Sequence, residues 1–386
     1  MANASTLVLR GNEFTFSYEQ AELRRTVRRW CQQHCTPESV RHTMGTDTGF
    51  DRALWKKLGA EVGVIGLDVP VELGGEGGTL VDKAIVVEEL GAALVCGPVL
   101  GTLALATSLL AAVADQSSTP GLLEALAAGT TTAAVGVPHR GAGIDVAGIA
   151  ATAHCRDGHW TLSGTAEHVL DAPQADVVLV AARSDAGVAL FLADAGAPGY
   201  AAQPLSTLDL TRRRANLAFD DCPATLITSE TNEVAALTAA YDRATVLLAA
   251  EQLGAAQHCF DAAVAHAKTR IQFGRPIGSF QAVKHRLADL MITLEHARSV
   301  VYYAAWALKE DGTNPAVLAS LAKATATDAF STTAAQTLQI FGGIGFTWEH
   351  HAHLYFKRAV TDAATLGSAA EHRERLAAHL LDQPHT

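Results

Sequence analysis

Residues 131–231 have the pattern of β-strands, whereas the segments before and after them have the pattern of helices. Within this block, Asp157-Gly158 separates two alternating runs, and an Asp-Gly pair in that position indicates a β-hairpin. Further short runs rich in Val, Leu, Ala and Phe follow, and Gly, Pro and Asp separate them. The order of helices, strands and helices predicts three domains, at 1–130, 131–231 and 232–386.

Both helical domains carry recognisable helix boundaries. SYEQAELRRTVRRWCQQH begins with Ser17, a favourable helix-capping residue, and DRALWKKLGAEVG ends near Gly63. After residue 232, three long runs of apolar periodicity follow one another, and the third opens with Asn314-Pro315. A last helix is predicted from about His351 to Leu366. Four long helices with short connections predict an antiparallel bundle.

The bulk composition excludes several classes of protein. Of the 386 residues, 49% are hydrophobic and 18% are charged, which argues against disorder. The net charge of -11 argues against a nucleic-acid surface. Six cysteines without a CxxC pair, and a start that lacks a signal peptide, predict reduced thiols and a cytoplasmic location. The uncharged run Gly91–Ala114 is interpreted as a core helix and not a membrane span, because Gly97-Pro98 breaks it.

Three motifs occur in a fixed order along the chain. They are WKKLGAEVGVIGLDVPVELGG followed by VEELG, then RIQFGRPIGSFQAVKHRLADL (Arg270–Leu290), then QIFGGIGFTWE (Gln339–Glu349). Together they resemble the signatures of the acyl-CoA dehydrogenase family over essentially the whole chain. The resemblance implies an α+β multidomain fold with an N-terminal helical domain, a middle β-barrel and a C-terminal four-helix bundle.

The resemblance also implies a reaction and a cofactor. Family members oxidise an acyl-CoA between its α and β carbons: a carboxylate removes the α proton while FAD takes the β hydride. The flavin ring lies in one subunit, and a neighbouring subunit holds the adenosine and pyrophosphate. By resemblance, the residues of this chain that hold the nucleotide half of a neighbour's FAD are Arg270, Phe273, Gln281, Gln339, Gly342 and Gly343. An arginine suits a pyrophosphate because its planar fork donates two parallel hydrogen bonds.

The middle domain departs from the family where the flavin ring should be held. In place of the family's Thr-Glu-Pro-Gly-x-Gly-Ser-Asp loop, the chain has PHRGAGID. Pro138 replaces the threonine that bonds the flavin, and Pro has no N–H to donate. Ile144 replaces a serine that helps to hold the CoA part. A family Trp-x-Thr or Trp-x-Ser triplet becomes His168-Val169-Leu170. These changes predict the loss of flavin contacts.

Both family positions for the catalytic base are occupied by residues that cannot accept a proton. They are Leu366 and Ala244, so we predict no catalytic residue in this chain. Substitute carboxylates are considered at Glu251, seven residues after Ala244 in an apolar run, and at Glu371, five residues after Leu366. Each is interpreted as a surface or inter-helix charge.

The motif WEHHAH invites a metal interpretation, because Glu349, His350 and His353 lie about one helical turn apart. The resemblance favours another one, since Glu349 matches a family residue and the histidines then read as surface or interface groups. We therefore predict no metal site.

The chain retains what it would lend to a neighbour's FAD and lacks what it would need for its own flavin ring and proton abstraction. This pattern predicts the non-catalytic subunit of a hetero-oligomer, similar to the α2β2 acyl-CoA dehydrogenases of actinobacteria that act on steroid-derived CoA thioesters. Its partners would be a homologous catalytic subunit, an acyl-CoA and, by analogy, an electron-transfer flavoprotein. Two alternatives stay open: a homotetrameric enzyme with a displaced base, Glu371 or Glu251, and a non-enzymatic scaffold on the same fold.

Overall fold

The computed structural model describes residues 15–113, 121–228, 233–308 and 313–381. The first of these ranges and the start of the second are helical. A π-helical segment, Val99–Ala106, runs directly into the fifth α-helix. The α-helices that precede the first strand are α1 (Tyr18–His34), α2 (Pro37–Met44), α3 (Arg52–Val62), α4 (Leu80–Ala92), α5 (Thr107–Ala112) and α6 (Leu122–Ala127).

The predicted helix boundaries of this domain are confirmed. The Ser17 hydroxyl accepts the Gln20 N–H, and the Gln20 side chain accepts the Ser17 N–H, so a capping box starts α1. Gly63 ends α3 in the left-handed conformation at φ 69°. Every residue of the π-helical segment is buried, as expected for a core element, and Ala114 at the end of the predicted run lies outside the described residues. None of the described helices has the length and apolar character that a bilayer crossing requires.

The middle domain is a barrel. Strands β6, β4, β5, β9 and β7 pair in that order, and β7 pairs back with β6 to close the ring. The predicted hairpin is confirmed between β4 and β5, where Asp157 (φ 52°) and Gly158 (φ 80°) form the turn. The strands are β1 (Ala133–Gly136), β2 (His139–Arg140), β3 (Gly143–Ile144), β4 (Thr152–Arg156), β5 (His159–Leu170), β6 (Val177–Ser184), β7 (Gly187–Asp194), β8 (Tyr200–Pro204) and β9 (Arg214–Thr228).

The C-terminal domain has five described helices, one more than the sequence analysis predicted. The additional helix follows Leu366 and begins with a capping box formed by Ser368 and Glu371. The Ser-x-x-Glu pattern in the sequence is typical of such a box. A two-stranded hairpin of β10 (Ile271–Gln272) and β11 (Arg275–Pro276) joins the first two helices. The helices are α7 (Glu233–Thr269), α8 (Gln281–Ala307), α9 (Pro315–Phe341), α10 (Ala352–Ala364) and α11 (Ala369–Leu381).

The two helical domains share one hydrophobic core. Helix α7 packs on both α4 and α9, and it approaches α4 so closely that a Cβ on Gly254 would lie 1.8 Å from the Glu88 carbonyl oxygen. The barrel has its own core around Phe191 and Leu217. The predicted boundary between 231 and 232 falls within 229–232, outside the described residues. The three domains meet at the C-terminal end of α10, and this junction positions the residues considered next.

Candidate functional site

The tip of the β10–β11 hairpin presents an exposed aromatic ring on a strained backbone. Phe273 and Gly274 have φ values of 51° and 77°, so both central residues of this tight turn are left-handed. A glycine adopts this conformation freely, but for Phe273 it costs about 1–2 kcal/mol. The Phe273 side chain is nevertheless 91% exposed. Among the described residues the ring meets Phe280, and most of its surface remains open to a contact outside the chain.

Beside this turn lies a surface cavity of about 310 Å3. Phe273 meets Phe280 edge to face, with 6.2 Å between ring centroids, and the Arg275 guanidinium lies 4.0 Å from the Phe280 centroid. The cavity therefore offers aromatic surface and positive charge together, a combination that suits a nucleotide. Its walls are Gln272, Phe273, Ile277, Phe280, Val283, Arg286, Gln339 and Ile340.

The structure brings all six predicted cofactor-binding residues to this end of the bundle, where each is exposed. Arg270 follows α7, and Gln281 begins α8, whose N-terminus has no side-chain cap. Unpaired N–H groups at a helix start favour an anion. Gln339 lies in the last turn of α9, which ends at Gly342 with φ 67°. At Gly343 an added Cβ would meet no atom of the chain within 4 Å, so packing inside the chain does not require a glycine there.

The PHRGAGID stretch forms the second feature, a chamber at the junction of the three domains. Strands β2 and β3 pair His139 with Ile144, and the Pro138 carbonyl accepts the Asp145 N–H at 2.9 Å. The loop after α10 packs against this hairpin: a Cβ on Gly367 would lie 2.8 Å from the Gly141 carbonyl oxygen. Leu366, which we predict at a base position, therefore lies beside the PHRGAGID hairpin.

The chamber is almost filled. Its cavity is about 30 Å3, which is room for a single water molecule. Leu366 is 3% exposed within it, and the buried Tyr241 hydroxyl has no hydrogen-bond partner. Burial lowers the pKa of His139, so the imidazole is neutral at pH 7. The walls are mostly aliphatic: Leu105, Leu109, Val135, Val137, His139, Ile144, Glu167, His168, Val169, Leu170, Leu237, Ala240, Tyr241 and Leu366.

The considered substitute bases are engaged elsewhere. Ala244, the second base position, is fully buried in the shared core. Glu251 does lie seven residues further along α7, but its Oε1 accepts hydrogen bonds from Arg212 (2.6 Å) and Arg358. Glu371 is exposed and caps α11, and its hydrogen bonds from Ser368 lower its pKa. Neither carboxylate is among the walls of the chamber, but Glu371 interacts electrostatically with two of them, His139 and Tyr241.

Below the chamber lies a buried charge cluster that the sequence analysis missed. Arg358 on α10 is 2% exposed and donates from Nε to Asp209 at 2.6 Å. The Asp362 carboxylate has no hydrogen-bond partner, its nearest cation being Arg212 Nε at 3.5 Å, and burial raises its pKa to about 7. In the sequence, the charged residues that interrupt apolar helical runs could have indicated this buried cluster. The cluster, which we call the junction cluster, consists of Asp171, Asp209, Arg212, Glu251, Arg358 and Asp362.

One of the WEHHAH histidines is buried within the chain, whereas the sequence analysis interpreted them as surface or interface groups. His353 is 7% exposed, and its ring lies edge to face against Trp348 at 4.6 Å, whereas Glu349 is exposed. Among the residues that the structure describes, no group of three or more His, Cys, Asp or Glu side chains could hold a metal ion.

Comparison with known proteins gives a consistent result. Residues 17–130 match the acyl-CoA dehydrogenase N-terminal domain, and residues 234–381 match the acyl-CoA dehydrogenase C-terminal domain. The chain is 38% identical to acyl-CoA dehydrogenase IpdE2 of Mycobacterium tuberculosis over 366 residues, which is 95% of this chain and 98% of that relative.

Solved structures agree over nearly the full length. The Tcur3481–Tcur3483 steroid ACAD, in a variant form, is 31% identical with a TM-score of 0.82, over 94% of this chain and 98% of that chain. The ChsE4–ChsE5 complex from Mycobacterium tuberculosis is 29% identical with a TM-score of 0.84, over 96% of this chain and 100% of that chain.

Proposed function

Because the chain belongs to the acyl-CoA dehydrogenase family of oxidoreductases, we propose that it is the non-catalytic subunit of a hetero-oligomeric acyl-CoA dehydrogenase. It completes the FAD site of a homologous catalytic chain, and that chain holds the flavin ring and the base. The narrow cavity at Leu366, about 30 Å3 and lined mostly by aliphatic side chains, carries the proposal. A chain that desaturates an acyl group needs room there for the acyl group, a flavin ring and a carboxylate together.

The exposed end of the bundle supports the other half of the proposal. FAD supplies the acceptor of the hydride when it is bound. The residues of this chain contribute binding: Arg270 donates to the pyrophosphate, and Phe273 covers the adenosine. The uncapped start of α8 at Gln281 adds N–H donors, and the bare backbone at Gly343 allows a phosphate oxygen to approach. The strain at Phe273 is consistent with this role, since strained residues concentrate at binding sites.

The barrel does not fit a flavin ring of its own. Pro138 offers no N–H where the family donates one, and the chamber beside it is too small for a ring. The chain therefore contributes no proton transfer in this proposal, and Leu366 and Ala244 fill space with aliphatic side chains instead. Shared FAD is the cofactor of the complex, with fewer flavins than subunits.

The partner and substrate class are proposed from the similar assemblies. Both structural relatives carry two names, and one of them is described as a steroid ACAD. We accordingly assign to the complex an acyl-CoA with a bulky polycyclic acyl group, an α2β2 composition and an electron-transfer flavoprotein as acceptor. The unpaired cysteines agree with a cytoplasmic location.

The two alternatives have less support. A homotetramer with a displaced base needs Glu251 or Glu371 at the chamber, but Glu251 is bound by two arginines and Glu371 caps a helix. A scaffold without any flavin leaves the strained, exposed Phe273 without a role.

The flavin-to-chain ratio tests the proposal. Purified alone, the chain should be colourless. Co-expressed with an adjacently encoded homologue that keeps the Thr-Glu-Pro loop and a carboxylate, it should give a yellow, active complex with less than one flavin per chain. A yellow isolated chain that oxidises an acyl-CoA would establish the homotetramer instead, and the lack of any complex would favour the scaffold.

Variants of the nucleotide end make the test specific. Arg270→Ala should lower the flavin content of the complex, because its loss leaves the pyrophosphate unpaired. Phe273→Gly should do the same while leaving the isolated chain equally or more stable, because glycine relieves the strain at φ 51°. The matched control is Arg156→Ala, which removes one exposed positive charge from strand β4. Equal flavin in Arg270→Ala and the control would refute the assignment.

A further inference from the structure

A column of neighbouring rings, most of them tilted against one another, underlies the glycine segment that we propose to contact the nucleotide. The His266 ring lies 4.5 Å from Phe341, Phe341 lies 4.2 Å from His350, and His350 stacks on His351 at 4.7 Å with an angle of 11°. His258 continues the column from α7. The column connects the exposed end of α7 with its middle, and the segment 342–351 crosses it.

Two hydrogen bonds in this column each require an unprotonated imidazole nitrogen as the acceptor. His258 Nε2 and His351 Nε2 are 3.4 Å apart, so one must donate and the other accept. His350 Nδ1 accepts the Ala352 N–H at 3.0 Å at the start of α10. Protonation of both rings of the pair leaves two donors facing each other, and protonation of His350 at Nδ1 removes the acceptor. We call His258, His350 and His351 the histidine clamp.

Apart from the clamp, the segment is anchored through Gly345 and through Trp348, whose ring meets His353 and the Lys357 ammonium. Gly345 is the only buried residue between Gly342 and Trp348, whereas Phe346 and Trp348 are 72% and 58% exposed. With so little apolar burial, the position of this segment depends on the rings at its end. His258 in turn stacks on Tyr355 at 4.5 Å with an angle of 10°, which fixes the clamp to the bundle.

We propose that His258, His350 and His351 are positioning residues that, in their neutral forms, hold the segment Gly342–Phe346 in place for the nucleotide half of the partner's FAD. This proposal rests on the proposed function. In this proposal the histidine clamp does not contact the cofactor. It affects cofactor binding by fixing the backbone of the segment that does.

Protons can reach the clamp. His258 and His351 form part of the wall of an open cavity of about 490 Å3 between the N-terminal domain and the bundle. The titratable and charged groups that face the clamp come from every neighbouring element. They are Glu38 and Arg41 from α2, His266 with Arg270 from the end of α7, His353 with Lys357 from α10, and, around the same cavity, Arg28, Glu88, Glu89 and Asp261.

The sign of the pH dependence follows from the burial of the pair. Burial lowers the pKa of His258 and of His351 from 6.5 to about 4. A depressed pKa in the clamped state means that the clamp is fully stable above pH 6.5 and weakens as the pH falls toward 4. For one histidine of the pair, the open population should rise about 30-fold between pH 7.5 and pH 5.0.

The test combines hydrogen exchange with flavin retention. In the isolated chain, the exchange of peptides covering 342–351, corrected for intrinsic rates, should accelerate about 30-fold from pH 7.5 to 5.0. His351→Gln keeps a hydrogen-bonding side chain that does not titrate, so it should weaken this dependence, to which His258 and His350 still contribute. His154→Gln, at an exposed site on β4, is the control and should behave as the unchanged chain.

In the co-expressed complex, flavin should be lost over the same pH range, and His351→Gln should retain more of it. His351→Ala should lose flavin even at pH 7.5. Exchange that is independent of pH, or that responds equally in His351→Gln, overturns the clamp. A third outcome is hydrogen exchange that follows the predicted pH dependence while neither His351→Ala nor Arg270→Ala changes the flavin content. That outcome overturns the proposed nucleotide binding, and the clamp then describes only the isolated chain.

Discussion

Restoring a carboxylate at the family position of the base is the sharpest test of the closed chamber. Leu366 is 3% exposed, and its neighbours in the chamber include Leu105, Val169 and Leu170. In Leu366→Glu the new carboxyl group enters this apolar space, where one water molecule at most accompanies it. We expect the variant to be inactive and strongly dependent on pH in its stability.

The magnitude follows from desolvation. Burial without a cation partner raises the pKa of a carboxyl group by about 3 units, from about 4.3 to about 7.3. A raised pKa in the folded state carries no penalty below about pH 4.3, where both states bind the proton. Between about pH 4.3 and 7.3 the free energy of unfolding should fall by about 1.4 kcal/mol per pH unit. The total loss of stability should be about 4 kcal/mol at pH 8.

Urea unfolding at pH 5 and pH 8 measures this effect, and Leu366→Gln is the matched control. The glutamine variant loses the leucine packing and buries a polar group of equal size, which together cost about 2–5 kcal/mol, but it does not titrate. The difference between the two variants should therefore grow by about 3 kcal/mol from pH 5 to pH 8. Equal pH dependence in both variants would show a wet chamber and refute the reasoning, as would flavin binding and turnover by Leu366→Glu alone.

Two further predictions concern the junction cluster. Arg358→Met should lower the free energy of unfolding by about 3–5 kcal/mol, because it leaves Asp209 and Glu251 buried without this cation. The control Arg373→Met breaks an exposed pair and should cost less than about 1 kcal/mol. Equal urea midpoints for the two variants would contradict the cluster's importance. Asp362 has a folded pKa raised by burial to about 7, so stability should decline as the pH rises from about 4 to 7. Asp362→Asn should flatten that decline in pH-dependent melting, and an unchanged slope would place the titrating group elsewhere.

Much of the fold was accessible from the sequence because its signals are local. Ser17 and Gly63 mark helix ends through hydrogen bonds and dihedral angles within a few residues, and Asp157-Gly158 specifies its hairpin in the same way. The capping box at Ser368 was equally local, and the helix after it was missed because the predicted bundle already had four members. The nucleotide end was predicted through the resemblance, and its residues do lie together, but their binding role stays a prediction.

The sequence alone determined that helices precede and follow the strands, and that Leu366 and Ala244, which we predict at the two base positions, cannot transfer a proton wherever they lie. Only the tertiary structure decided whether a substitute existed. Glu251 is seven residues from Ala244 in any helix, but its ion pairs depend on Arg212 and Arg358, which reach it from remote parts of the chain. The same holds for the His258–His351 pair, 93 residues apart. Side chains that are distant in sequence meet only through packing, and no local pattern records that meeting.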